Sequence, residues 1–334
     1  MKKNYILAVS FLLLLLIAAA CSQGDSSDQE QEANDEENQA QETETITVTD
    51  ARGEQQIEGT PETIVVLEWV YAEDLLALGV EPAGVADIEG YNQWVNIEPQ
   101  LSDSVTDVGT RQEPSLEEIA QLEPDLIITA QYRHEAISEE LNEIAPTLMF
   151  EPYPPEGEGD QYEEMETTFK EIAKAVNKEE EADQVLNELE TAYDDIAAKL
   201  EEEGADGTEL ILSQAFSANE TASIRLFTDN SMAVNILNKI GIENAYDGTD
   251  FEIYGYSEAT VENLEPYQDA EFMYIVQDDD NVFANQLAGN PVWENLNFVE
   301  ENRTHRLPGD TWTFGGPLSA EVFANQAAEA LIGE

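Results

Sequence analysis

Apolar positions fall into three regimes along the chain. From Tyr5 to Ala20 nearly every residue is apolar, from 22 to 45 almost none is, and beyond 46 apolar residues return in short spaced groups. In this third regime ITVTDARGEQQIEG alternates around a glycine-containing turn, which predicts a β-hairpin. TIVVL has the length and β-branched content of a buried strand, and PAGVAD, SVTDVG and DLIITA follow it as further strands. Helical spacing occupies the intervals Val70 to Gly79, Ser115 to Leu122 and Glu135 to Ile144. Short strands alternating with helices predict a parallel sheet covered on both faces.

After Pro152-Tyr153-Pro154-Pro155 the pattern changes. A helix is predicted from Tyr162 to Val176, then a single long one from Glu179 to Glu203. The long one carries Ala182, Val185, Leu186, Leu189, Tyr193, Ile196 and Leu200 as a narrow apolar stripe. Alternation then restarts with ELILSQAF, SIRLF, a helix from Ser231 to Ile240, EFMYIVQ, THRLP and a last helix from Leu318 to Leu331. The expected fold class is therefore α/β: two Rossmann-like lobes, 46–178 and 204–334, joined by one long helix, 179–203. A short motif recurs in both lobes. Ser115-Leu116-Glu117-Glu118-Ile119 precedes DLIIT, and Thr260-Val261-Glu262-Asn263-Leu264 precedes EFMYIV. Each copy reads as a helix start, a hydroxyl followed by an acid in the first turn.

The ends and the charge change the picture. Lys2 and Lys3 before the apolar run 5–20 read as a secretory signal, too short for a membrane span of roughly 20 residues. Ala18-Ala19-Ala20-Cys21 resembles a bacterial lipobox, which makes 1–20 a lipoprotein signal peptide and Cys21 the lipidated residue; Cys21 is the only cysteine, so no internal disulfide forms. Residues 21–45 form an acidic, disordered tether, too poor in apolar surface to offset its ordering entropy. The chain has Lys+Arg 13 against Asp+Glu 73, a net charge of -60. That balance excludes nucleic acid as a partner, because phosphates require clustered cations, and suits a salty or alkaline exterior.

VGTRQEPSLEEIAQLEPDLIIT, followed by RHEAISEELNEIAPT, resembles the iron(III)-siderophore-binding proteins of ABC importers, most of all the ferric citrate and hydroxamate binders among Gram-positive lipoproteins. LEWVYAEDLLALGVEPAGVAD resembles the first βαβ unit of that family and TWTFGGPLSAEV the segment before its last helix. The resemblance implies two lobes on a rigid helical backbone, a class III periplasmic-binding-protein fold, with the ligand in the cleft. It implies an extracytoplasmic, lipid-anchored, monomeric binding protein and no enzyme, with no intrinsic cofactor and iron(III) carried as a siderophore complex. The implied partners are a ferric siderophore and the permease and ATPase subunits of the importer. Catecholate siderophores, haem and cobalamin are the alternative ligands; a secreted hydrolase and a structural surface lipoprotein are the alternative classes.

In open α/β sheets ligands sit beyond the carboxyl ends of the strands. Arg111 follows SVTDVG there, Arg133 follows DLIITA, and Arg225 lies within SIRLF, so three of six arginines fall at cleft-type positions. A guanidinium fork binds carboxylate or hydroxamate oxygens in pairs, so three arginines favour a polyanionic complex such as ferric citrate or a citrate-based hydroxamate, and the resemblance places its ligand arginine at the GTR position of Arg111. Trp69, Tyr71, Trp94, Tyr132, Tyr254 and Trp312 are the aromatic candidates for the pocket, and the resemblance puts Tyr254 and Trp312 at its rim. The resemblance also implies one acidic docking residue on each lobe. Glu117 matches that pattern closely, and Glu262 matches it less closely, with Glu258 as rival. His134 and His305 stand at no recognisable metal-ligand spacing, so no direct metal site is expected, His134 being the one weak candidate. A phosphate loop, a GxSxG elbow and an HExxH motif are all missing from the sequence.

Overall fold

The computed structural model describes residues 45–218, 221–248 and 251–333. The signal peptide 1–20, Cys21 and all but the last residue of the tether lie outside the described residues. The hairpin pairs strands β1 (Thr45–Asp50) and β2 (Gly53–Glu58) antiparallel. Its turn docks on the first lobe's outermost strand: the Ala51 amide donates to Met149 O at 2.9 Å, and Arg52 donates to Thr147 O. An exposed strand edge is a template for mispairing, and the hairpin covers this one.

The first lobe's sheet contains β3 (Ile64–Val66), β4 (Gly84–Val85), β5 (Thr106–Asp107), β6 (Leu126–Ala130) and β7 (Thr147–Phe150). All pair in parallel, in the order β5-β4-β3-β6-β7. Burial on both faces suits the continuous apolar runs IVV and LIITA. The sequence reading omitted β7, a short TLMF run beside a proline-rich segment.

The second lobe contains β8 (Glu209–Ala218), β9 (Thr221–Phe227), β10 (Glu243–Asn244), β11 (Tyr256–Ala259), β12 (Glu271–Ile275) and β13 (Thr304–Leu307). This sheet is mixed: β8, β9 and β11 run antiparallel to one another in turn, whereas β12 and β13 are parallel. Only two residues separate β8 from β9, far fewer than a parallel crossover needs. The Thr260 copy of the repeated motif opens a 3₁₀ helix, Val261–Tyr267 with Pro266 inside it, where the Ser115 copy opens the α-helix Leu116–Gln121.

The long helix occupies Glu179–Glu203. Ala182 and Leu186 of its stripe pack in the first lobe's core, and Leu189, Tyr193, Ile196 and Leu200 in the second lobe's core. At 1.5 Å per residue it spans about 37 Å. Helix Gln161–Ala175 also bridges, with Tyr162 and Met165 in the second core and Phe169 and Ile172 in the first. A further tie is polar. Glu73, on helix Trp69–Ala77, accepts from Ser319 N and Ser319 Oγ, both at 2.7 Å. It thereby caps the C-terminal helix Pro317–Ile332, whose own N-cap residue, Gly316, makes no side-chain bond.

Candidate functional site

β5 and the turn after it present Arg111. Gly109 takes φ 97°, and a Cβ there would lie 2.9 Å from the Ser115 amide, so this turn requires glycine. The Arg111 guanidinium lies 3.4 Å from the centroid of the Trp69 ring, a cation–π contact. Its Nη1 stands 3.4 Å from Glu68 Oε2 and its Nε 3.7 Å from Asp87 Oδ2. Arg133 follows β6 on the short helix Gln131–His134. Its Nε donates to Glu68 Oε1 and its Nη2 to the Tyr132 hydroxyl at 2.6 Å. Glu68 itself is only 5% exposed and holds both arginines. Burial raises its carboxyl above the usual carboxylate range, against the pull of Arg133 and Arg111.

Arg225 reaches the same cleft from β9. It donates to Gln214 Oε1 at 2.9 Å and stands 4.2 Å from the Tyr256 ring centroid. The cavity between the lobes has a volume of about 290 Å³ and is lined by all three arginines. Arg111 Nε, Arg225 Nε and Trp312 Nε1 are buried donors that make no hydrogen bond among the described residues, Asp87 Oδ2 standing too far from Arg111 Nε to accept. Buried donors are nearly always satisfied in folded proteins, so these three are poised for acceptor oxygens of a ligand.

Aromatic rings follow the cleft from lobe to lobe. Tyr132 packs on Tyr153 at 5.3 Å and Tyr153 on Tyr254 of the second lobe at 5.0 Å. Farther round, Phe314 meets Trp312 at 5.4 Å, and Trp312 meets Trp69 at 5.2 Å. Tyr132 and Tyr254 remain 39% and 45% exposed at the mouth.

The floor has a different chemistry. Tyr71 and Asp74 are each 1% exposed, and neither Tyr71 Oη nor Asp74 Oδ1 has a hydrogen-bond partner among the described residues. Glu164 lies opposite on helix Gln161–Ala175 and accepts from Thr168 Oγ1. Burial, reinforced by Glu73 and Glu164, pushes Asp74 well above the carboxylate range; burial also raises Glu164 to about 7, offset in part by the Thr168 bond. Gly315 and Gly316 let Glu73 and Asp74 approach the last helix, since a Cβ would fall 2.5 Å from Glu73 Oε2 at Gly315 and closer still to Asp74 Oδ1 at Gly316.

The structure brings Arg111, Arg133, Arg225, Trp69, Tyr71, Tyr132, Tyr254 and Trp312 to this one cavity. Trp94 lines an adjoining cavity of about 500 Å³ that shares Arg111, Arg225 and Trp312 with the first. His134 does not join them. It is 1% exposed, its Nδ1 lies 2.5 Å from Thr129 Oγ1, and burial lowers its pKa to about 4, so it is a neutral core residue behind the Arg111 turn rather than a ligand. Glu117, Glu258 and Glu262 are exposed outside the cavity, Glu262 accepting from Thr260 Oγ1 at 2.7 Å. The sequence reading missed Glu68, Asp74, Glu164, Tyr153, Tyr256 and Phe314, all of which line the cavity. The acids were hidden among 73; Asp74 and Glu164 could have been found as charges on otherwise apolar helix faces.

Residues 64–311 match the periplasmic binding protein family. The chain belongs to this family. It is 31% identical over 280 residues to the Fe(3+)-citrate-binding protein YfmC of Bacillus subtilis, covering 83% of each chain. It is 32% identical over 276 residues to the iron(3+)-hydroxamate-binding protein FhuD of Escherichia coli, covering 82% of this chain and 88% of that one. Among solved structures it resembles the siderophore-binding protein FhuD from Vibrio cholerae bound to Fe3+-Desferal, with TM-score 0.73, 26% identity, and coverage of 81% of this chain and 98% of that one. The periplasmic binding protein fold here is the class III arrangement, two lobes on a helical backbone. As in these relatives, the chain is a binding protein and not an enzyme. Relatives named as periplasmic proteins or lipoproteins support an extracytoplasmic location.

Proposed function

We propose that this chain is the siderophore-capturing component of an ABC iron importer, and that the inter-lobe cleft takes a ferric complex of hydroxamate or mixed citrate/hydroxamate type. The observation that carries this reading is the set of three unpartnered donors, Arg111 Nε, Arg225 Nε and Trp312 Nε1, converging within an aromatic cleft. Oxygens that already coordinate iron(III) keep enough negative character to accept from guanidinium and indole N–H groups. Aromatic faces enclose the apolar spacers between them. Glu68 already engages Arg111 and Arg133, so the wall's free positive charge is small and favours a complex of low net charge over a polyanion. Ferric citrate is the second reading, supported by the three arginines and by the YfmC similarity.

On this reading Cys21 carries the lipid that anchors the chain outside the membrane, and 21–45 tethers a monomeric body of lobes 46–178 and 204–334 on helix 179–203. The permease docks on both lobes, at Glu117 and Glu262, with the ATPase behind it. Quenching of tryptophan fluorescence tests the ligand, because Trp69 and Trp312 line the cleft. Ferric trihydroxamate, ferric citrate and ferric catecholate complexes are titrated against the purified chain. Tightest binding of a hydroxamate supports the proposal; tightest binding of a catecholate rejects it.

A further inference from the structure

We infer that Asp74, Glu164 and Tyr71 form a subsite at the cleft floor for a primary ammonium arm of the bound ferric complex. The inference rests on the hydroxamate reading and names the part of the ligand that the arginines do not explain. The arginine wall offers unpartnered donors and wants acceptors. The floor offers the reverse: Asp74 Oδ1 and Tyr71 Oη are buried without a hydrogen-bond partner among the described residues, beside Glu164, which accepts from Thr168 Oγ1. A buried carboxyl without a partner is costly to keep, and such a group persists where a ligand completes it.

None of the three arginines that line the cavity does so. Arg111 and Arg133 are turned to Glu68, and Arg225 to Gln214. The titratable groups facing the pair are Glu73 and Tyr71 on helix Trp69–Ala77 and Glu151 beyond β7, all acidic. The field at the floor is therefore one-signed, and an ammonium with three donors suits three acceptor side chains. Because burial favours the protonated acids in the empty cleft, an arriving ammonium displaces a proton to solvent and takes its place. Glu73 is not part of the subsite, since Ser319 occupies it.

The test compares arms on one iron-binding core. Ferric complexes of desferrioxamine B (ammonium), its N-acetyl derivative (neutral) and its N-succinyl derivative (anionic) are titrated against the wild-type chain, then against Asp74→Asn and Glu164→Gln. The wild type should bind the ammonium complex at least tenfold tighter than the acetylated one, and the succinylated one weakest. Each variant should bring the ammonium-to-acetyl ratio close to one. Equal wild-type affinity for ammonium and acetylated complexes overturns the inference while the hydroxamate reading stands. An undiminished ratio in both folded variants overturns the assignment to these residues. Failure to bind any of the three, with tight binding of ferric citrate, overturns the hydroxamate reading and the inference together. The wild-type comparison needs no variant to fold.

Discussion

The wall and the floor of the cleft are both charged and both buried, yet they are built on opposite principles. In the wall two arginines share one buried carboxylate, Glu68 holding Arg111 and Arg133 with Trp69 beneath Arg111, and the donors left over await acceptors. The floor places Glu73 and Glu164 close enough to Asp74 to raise its pKa further beyond the effect of burial. The same contrast appears between adjacent residues. Glu73 and Asp74 share a helix and near-complete burial, but Glu73 caps the last helix through Ser319 while Asp74 Oδ1 has no hydrogen-bond partner among the described residues. Burial alone therefore does not separate a structural charge from a functional one; an unfilled bonding capacity does.

Glu73→Ala should produce the largest loss. It leaves the buried Ser319 N–H and hydroxyl unsatisfied and uncaps a helix that ties the lobes together. Urea unfolding should show a loss of about 2–4 kcal/mol. Asp74→Asn, one residue along, should cost almost nothing in the apo chain, since it deletes no bond. Equal destabilisation by the two substitutions would break the contrast.

Arg111→Ala should weaken the ferric complex by about 1.5–3 kcal/mol, about 10- to 150-fold, the scale of hydrogen bonds to a charged group. Arg111→Lys should recover little, because a lysine cannot reproduce the fork or the stack on Trp69. Recovery to wild-type affinity would mean that the wall acts through charge alone.

Much of the wall was legible in the sequence, because arginine is scarce here and glycine marks turns. Gly109 followed by Arg111, and DLIITA followed by Arg133, place cations beyond strand ends whatever the details of packing. The long helix was legible for a related reason: a stripe at helical spacing over 25 residues has no competing interpretation. The floor was not, because an acid in this composition carries no signal until its neighbours in space are known. Glu164 lies far along the chain from Glu68 and Asp74, and only packing brings the three to one cavity. The antiparallel pairing of β8 and β9 also escaped, since periodicity marks a strand without giving its direction, and the short β11 was not predicted at all.

The floor should also make apo stability depend on pH in an unusual direction. Glu164 titrates at about 7 in the folded chain against 4.5 when unperturbed. Below about 4.5 both states hold the proton. Between 4.5 and 7 the unfolded chain loses it first, so stability falls as pH rises and levels off above 7. Glu164→Gln should flatten that slope by roughly 1–2 kcal/mol, allowing for partial exposure. Unfolding in high salt, which screens the general repulsion of an acidic surface, isolates the effect. An unchanged slope in the variant would place the titration elsewhere.

The smallest effect is expected outside the cleft, and it decides whether geometry or mere positive charge makes the wall. Three arginines lie away from the cavity: Arg52, Arg303 and Arg306. Arg52 pairs with Asp50 and ties the hairpin to β7. Arg303 is a poor control, because it donates to the carbonyls of Gln268, Asp269 and Ala270 and closes the turn after the 3₁₀ helix. Its removal should reduce stability. Arg306 instead pairs with Asp278, whose side chain is 94% exposed, and an exposed pair contributes about 0–1 kcal/mol. Arg306→Ala should therefore shift the unfolding midpoint little and leave the affinity for a ferric complex within about twofold of wild type. Both are read from the same urea and fluorescence titrations used for Arg111→Ala. A tenfold loss of affinity on removing Arg306 would show that any cation matters in a chain of net charge -60, and the wall would lose its claim to be a designed fork.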